Sequence, residues 1–190
     1  MELLLVADSL DRSQPLLRVA SDVGYHILRS IGIDDGASKY VDTLRPDAVI
    51  IVTKKIDHII LREMSAINER HPTPMLIFTH DSQPASIDAA VKAGAGSYVV
   101  DCHKPERLAT LLGIAVTRFE EQQRLKSDLL QTKNALQERK SVEKAKGIIM
   151  KSKSLSEDQA YKAMRKLAMN HNKRIGEIAE QIISASEVLV

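Results

Sequence analysis

Short apolar runs alternate with amphipathic stretches along the first 120 residues: LLLVA at 3–7, YHILRSI at 25–31, AVIIVT at 48–53, MLIFT at 75–79 and SYVV at 97–100. Five strands are predicted. Between them, apolar residues recur at helical spacing over 15–23, 37–44, 57–70 and 84–93. Ser13-Gln14-Pro15 sets a capping hydroxyl ahead of a first-turn proline, so the first helix is expected to open there. Strands alternating with helices make a doubly wound α/β fold with a parallel sheet, and almost wholly apolar strands fit burial on both faces.

From Pro105 the pattern becomes helical and meets only single glycines, at 113 and 147, before Leu155. One very long helix is predicted. Its apolar positions Leu112, Ala115, Phe119, Leu125, Leu129 and Leu136 approximate a 3-4 spacing that Gln122 and Thr132 interrupt. This reads as an imperfect coiled coil favouring a homodimer through Leu112, Phe119, Leu125, Leu129 and Leu136; an amphipathic helix lying on its own domain is the alternative. Ser156-Glu157-Asp158-Gln159 has the form of a capping box and opens a helix to about Asn170, with Tyr161, Met164, Leu167 and Ala168 on one face. A last helix from about Lys173 carries Ile175, Ile178, Ala179, Ile182, Ile183 and Leu189. Helices this short are marginal alone, so they are expected to close a three-helix core with Val142, Ala145, Ile148 and Ile149.

The length of 190 residues suits two small domains. Formal net charge is only +2, but it is unevenly spread. Residues 139–190 hold eleven Lys/Arg against six acids, a net +5, and the first 138 hold sixteen against nineteen, a net −3. A basic tail domain on a mildly acidic partner points to a polyanion ligand, although a solvated helical surface would look similar. One cysteine, Cys102, excludes an intramolecular disulfide, and the six histidines lack the i, i+3 or i, i+4 pairing of a helix-borne metal site, so no metal or cofactor is expected. The N-terminal MELLLVAD lacks a basic region and a cleavage site, and no segment approaches the ~20 apolar residues of a membrane span. A cytoplasmic location is expected. The chain contains no G-x-x-x-x-G-K, G-x-G-x-x-G or G-x-S-x-G string, and Cys102 beside His103 is adjacent in sequence without being oriented for catalysis, so no enzymatic activity is expected.

Pro46-Asp47 before the third strand, Thr79 ending the fourth, Ala93-Gly94-Ala95 before the fifth and Pro105 opening a final helix resemble response-regulator receiver domains over residues 1 to about 120. The resemblance implies a flavodoxin-like five-stranded parallel sheet with its site at the carboxyl ends of the strands. It also implies an acidic pair, an acceptor aspartate, a hydroxyl and a lysine. Here Asp8 supplies one acid, Ser9 stands for the second, Val52 occupies the acceptor position, Thr79 keeps the hydroxyl and Asp101 replaces the lysine. Valine has no nucleophilic oxygen and an extra carboxylate repels a phosphoryl group, so no phosphoacceptor is expected. Thr53 and Asp57 are alternative acceptors, but one should point to the opposite side of the strand and the other lies beyond its end.

Residues 138–189 resemble an ANTAR domain, an antiterminator module, through Arg139, Glu143, Ala145-Lys146-Gly147, Met150, Ser156, Glu157, Ala160-Tyr161, Leu167, Ala168, Asn172 and Ile178-Ala179. AEQIISASEVL, MRKLAM and Tyr98-Val99-Val100-Asp101 look most like NasT-type regulators of nitrate and nitrite assimilation. That resemblance implies a receiver-like domain over 1–120, a linker helix or coiled coil over 105–138 and an ANTAR RNA-binding domain over 139–190. It further implies binding to paired hairpins in nascent mRNA leaders, under control of a nitrate-sensor-like partner protein rather than phosphorylation. Hairpin loops expose phosphates and splayed bases. The candidate contacts are Arg139, Lys140, Lys144, Lys146, Lys151, Arg165, Lys166, Met169, Asn172, Lys173 and Arg174, with the last helix's N-terminus favouring a phosphate near the final two. Tyr161 shares a stripe with Met164 and Ala168 and is expected in the core; Ala145 and Gly147 are expected to permit close helix approach. A phosphorylated DNA-binding response regulator and a protein-interaction adaptor are the competing functions.

Overall fold

A computed structural model describes residues 1–100 and 107–188 of the chain. The first 100 residues alternate strand and helix: β1 (Glu2–Ala7), α1 (Leu10–Asp22), β2 (His26–Gly32), α2 (Ala37–Leu44), β3 (Ala48–Thr53), α3 (His58–Arg70), β4 (Met75–Thr79), α4 (Pro84–Lys92) and β5 (Ser97–Val100). All neighbouring strands are parallel, in the order β2-β1-β3-β4-β5. The strand order reverses at β1 and β3, whose carboxyl ends therefore form the crevice where open α/β sheets hold their ligands.

Alternation along each strand produces two cores. Leu4, Val6, Val49, Ile51 and Ile77 face Val41 of α2, Ile60 and Met64 of α3 and Ala90 of α4. Leu3, Leu5, Ile50, Leu76 and Phe78 face Leu16 and Ala20 of α1 and, on the next helix, Leu108, Leu112 and Ala115. That helix, α5, runs unbroken over Leu108–Lys153. Gly94 turns the chain into β5 at φ +105°, and a Cβ there would lie 2.9 Å from Cγ of Asn68, so the position requires glycine.

The chain divides into two compact units, Met1–Gln123 and Arg124–Val190. In the second, α5 continues, followed by α6 (Glu157–Asn170) and α7 (Ile175–Val188). Val142, Ala145 and Ile149 of α5, Ala160 and Met164 of α6 and Ala179 of α7 form its core, with Ile175, Ile182 and Ile183 packed against it. The capping box is present: Ser156 Oγ accepts from Gln159 N–H at 3.4 Å, and Gln159 Oε1 accepts from Ser156 N–H at 3.0 Å. Among the described residues, no helix is long and apolar enough to cross a membrane.

Several expectations need correction. The first helix opens at Leu10, with Ser9 as N-cap residue, and Pro15 lies inside it. Proline there lacks the N–H that would bond four residues back, and burial of Leu16 and Ala20 against the sheet carries the helix through that loss. Leu112, assigned to the dimer seam, is fully buried in its own sheet's core and unavailable for self-association. Leu125, Leu129 and Leu136 are exposed as a seam requires, and Phe119 is half-buried. Tyr161 and Leu167 are exposed, because the buried line of α6 is Ala160, Met164 and Ala168, spaced by four. A Cβ at Gly147 would meet nothing within 4 Å; the close approach is at Gly176, where a Cβ would lie 2.6 Å from Cγ of Glu138. Leu189 falls outside the described residues.

Candidate functional site

Ten of the eleven basic, amide and thioether positions expected to meet RNA are exposed: Arg139, Lys140, Lys144, Lys151, Arg165, Lys166, Met169, Asn172, Lys173 and Arg174. Their surroundings differ. At 100° per residue, Lys162, Arg165, Lys166 and Met169 share the outer arc of α6 with Asp158, away from the buried Ala160, Met164 and Ala168, and Tyr161 stands at the edge of that arc beside Ala168. Residues 159–176 contain five cations, Lys162, Arg165, Lys166, Lys173 and Arg174, and no acid. The side of α5 that meets α7 is charge-mixed. Lys140 and Lys144 line a groove there with Glu180, and Lys144 Nζ pairs with Glu187 at 3.1 Å. Glu138, Glu177 and Glu180 line a neighbouring groove with Arg174. Carboxylates thus partly offset the cations on that side, whereas the outer arc of α6 carries cations in excess.

Lys146 departs from its expected role. It is 8% exposed, and its Nζ donates to Glu143 at 2.8 Å and to Glu157, the first residue of α6, at 2.7 Å. The hydrogen bonds to Glu143 and then Glu157 hold the Lys146 ammonium above its ordinary pKa, and the bond from Lys146 pulls Glu157 below the usual carboxylate range. Lys146 thus clamps α5 to the start of α6, and its charge is already matched.

Between α6 and α7 the chain turns through a Schellman motif. Asn172 is left-handed at φ 51°, its N–H donates to Met169 O at 3.3 Å, and Lys173 N–H donates to Ala168 O at 2.9 Å. Arg174 N–H then donates to Glu177 Oε2 at 2.8 Å, so the chain's own carboxylate occupies the N-terminal end of α7 expected to receive a phosphate.

In the N-terminal unit the retained receiver-type groups are committed to the backbone. Asp8 follows β1 directly, and its Oδ2 accepts from Lys54 N–H at 2.7 Å and from Thr53 Oγ1 at 3.4 Å. Thr79 Oγ1 donates to Lys54 O at 3.2 Å. The Lys54 peptide is therefore held from both ends. Val52 is buried in the apolar core beside Ala7 and Phe78, and Ser9 is half-buried as the N-cap residue of α1. Both alternative acceptors are engaged: Thr53 is buried and donates to Lys55 O at 2.9 Å, and Asp57 caps α3 by accepting from Ile59 and Ile60 N–H at 3.0 and 2.9 Å. Asp101 lies outside the described residues, as do Cys102 and His103.

Sequence reasoning missed Asp81. It is buried and accepts from Gln83 N–H at 3.0 Å and Ile56 N–H at 3.3 Å, while Tyr98 Oη donates to its carbonyl at 2.8 Å. The bond from Gln83, then one from the Ser86 side chain, hold its carboxyl below the usual range, whereas burial pushes the Tyr98 phenol up. The signal was Asp81-Ser82-Gln83-Pro84, an acid three residues before a proline that opens a helix.

Residues 130–183 match the ANTAR domain family. The C-terminal part of the chain carries an ANTAR domain. The ANTAR match covers α6, most of α7 and the end of α5, the segment that carries the basic arc. Over most of its length the chain is similar to the transcriptional regulatory protein PdtaR of Mycobacterium tuberculosis, at 27% identity over 168 residues, 88% of this chain and 82% of that protein. A nitrate regulatory protein of Klebsiella oxytoca is 40% identical over 74 residues, 39% of this chain and 19% of that protein. The receiver fold of the N-terminal unit appears in solved structures. The signal receiver domain of a modulated diguanylate cyclase from Desulfovibrio desulfuricans G20 aligns at TM-score 0.55 and 15% identity, over 64% of this chain and 97% of that one. A LuxR-family DNA-binding response regulator from Staphylococcus aureus aligns at 0.52 and 20%, over 60% and 98%.

Proposed function

We propose that this ANTAR-domain regulator acts in the cytoplasm as a transcription antiterminator, binding paired hairpins in nascent mRNA leaders through residues 139–190 and catalysing no reaction. The observation that carries the reading is the outer arc of α6 within an ANTAR domain, exposed and carrying Lys162, Arg165 and Lys166 against Asp158 alone, with Glu177, Glu180 and Glu187 set apart on α7. Arg165, Lys166 and Met169 contact the loop, joined by Asn172, Lys173 and Arg174 at the turn. Arg139, Lys140, Lys144 and Lys151 extend the electrostatic footprint along α5. The receiver-like domain, residues 1–120, receives the signal through a partner protein rather than a phosphoryl group, because Val52 offers no acceptor and Asp8 and Thr79 are tied to the Lys54 peptide. Residues 105–138 link the two and pair with a second copy through the exposed Leu125, Leu129 and Leu136. The 40% identity to the Klebsiella nitrate regulatory protein supports a place in nitrate or nitrite assimilation with a nitrate-sensing partner.

Titration of the full chain against a paired-hairpin RNA, the same RNA with scrambled loops and duplex DNA of matching sequence tests the reading. Selective binding of the paired hairpin is expected. Preference for duplex DNA would restore the DNA-binding response regulator, and binding to none would leave an adaptor.

A further inference from the structure

The basic arc of α6 contains apolar surface that the domain's own core leaves unused. Tyr161 is 43% exposed and Met169 is 73% exposed, with the exposed Arg165 between them at four-residue spacing. Residues four apart stand one above another on a helix, so the three form a continuous ridge of ring, guanidinium plane and thioether. The helix's packing is already supplied by Ala160, Met164 and Ala168, a line about 100° round the helix from the ridge. Lys162 and Lys166 border the ridge. The nearest acid before it is Asp158, whose carboxylate accepts from Lys162 Nζ at 2.6 Å, and none follows until Glu177.

Few ligands match a flat, partly apolar ridge inside a field of cations. A hydrophobic protein surface would leave the cations unpaired, and a phosphate alone would leave the ring and thioether in water. An unpaired nucleobase on its phosphodiester backbone satisfies both, since its π face stacks on aromatic and guanidinium planes while its phosphates meet lysines and arginines. We infer that Tyr161 is the base-stacking residue of this domain, holding one unpaired loop base of a hairpin RNA, with Arg165 and Met169 extending the platform towards Asn172. The inference rests on the proposed RNA-binding function and adds to it the residue that distinguishes a looped RNA from a fully paired one.

The test uses the full chain and a pool of paired-hairpin RNAs with randomised loops, enriched on the parent protein; an enriched RNA is then remade with each loop nucleotide in turn abasic. Tyr161→Phe should bind within about twofold of the parent, and Tyr161→Ala should weaken binding by about 5- to 150-fold with an unchanged salt slope, as the removal of a stacking partner that touches no phosphate requires. At one loop nucleotide, removing the base should weaken the parent but scarcely affect the alanine variant. Tyr161→Leu keeps apolar area on the helix and should lose the same affinity, so the result does not depend on the stability of the alanine variant. Parent-like binding by Tyr161→Ala, or equal losses on abasic substitution in parent and variant at every loop position, would overturn the stacking role and leave RNA binding standing. Failure of the pool to yield any looped RNA over duplex RNA would remove both.

Discussion

At Asn172 the backbone is left-handed, and the Schellman bonds of that turn end α6 and direct Lys173 and Arg174 outward. Asparagine tolerates this conformation, glycine adopts it freely, and alanine resists it by about 1–2 kcal/mol. Exchange for alanine therefore mixes loss of the amide with strain, whereas exchange for glycine isolates the amide. If the side chain reads a loop base, Asn172→Gly should keep its thermal midpoint and lose discrimination between paired-hairpin and scrambled-loop RNA, and Asn172→Ala should lose both. Retained discrimination in the glycine variant would reduce Asn172 to a helix terminator. Val52 presents the opposite situation, a side chain with no chemistry at a position where receivers need it. Acetyl phosphate with Mg²⁺ should leave the intact mass of the chain unchanged, and a gain of one phosphoryl group would contradict the assignment. Val52→Asp alone should label slowly, since Asp8 and Thr79 remain bonded to the Lys54 peptide.

At the scale of elements, α5 does two jobs that one heptad-like pattern conceals. Its first turns close the sheet through Leu108, Leu112 and Ala115, and its middle displays Leu125, Leu129 and Leu136 to solvent. Leu112→Ala should destabilise the N-terminal unit by about 2–5 kcal/mol in denaturant unfolding without changing self-association. Replacing Leu125, Leu129 and Leu136 together with glutamine should lower the sedimentation coefficient and leave the far-ultraviolet spectrum intact; unchanged sedimentation would place the dimer interface elsewhere. The same elements show what the sequence made legible. Strands such as AVIIVT announce burial on both faces, and Ser156 to Gln159 specify a cap locally, so the elements and their order could be read directly. Properties that depend on a neighbour could not. Tyr161 lies one residue past Ala160 on α6, and whether the stripe includes it depends on where α5 and α7 pack. Lys146 resembles any surface lysine until Glu157 arrives from the next helix. Pro15 mimics a first-turn proline because the burial that overrides it involves strands far away in sequence.

For the whole molecule, charge is segregated: +5 on residues 139–190 against −3 on the remainder, and within the basic part an α6 that carries no acid after Asp158 and an α7 that carries Glu177, Glu180 and Glu187. Reversing Arg165 and Lys166 to glutamate should weaken hairpin binding and reduce the slope of log affinity against log salt by about 0.7–0.9 for each phosphate no longer neutralised. Lys144→Glu, at a cation already paired with Glu187, should have the smaller effect on that slope. Binding of paired hairpins in leader transcripts is tested most directly by cross-linking the full chain to RNA in cells that express it and sequencing what is bound. Enrichment of 5′ leaders with paired hairpins overlapping a terminator is expected, as is loss of that enrichment when Arg165 and Lys166 are reversed. RNA recovered without such hairpins, or unaltered by the reversal, would contradict the antiterminator function.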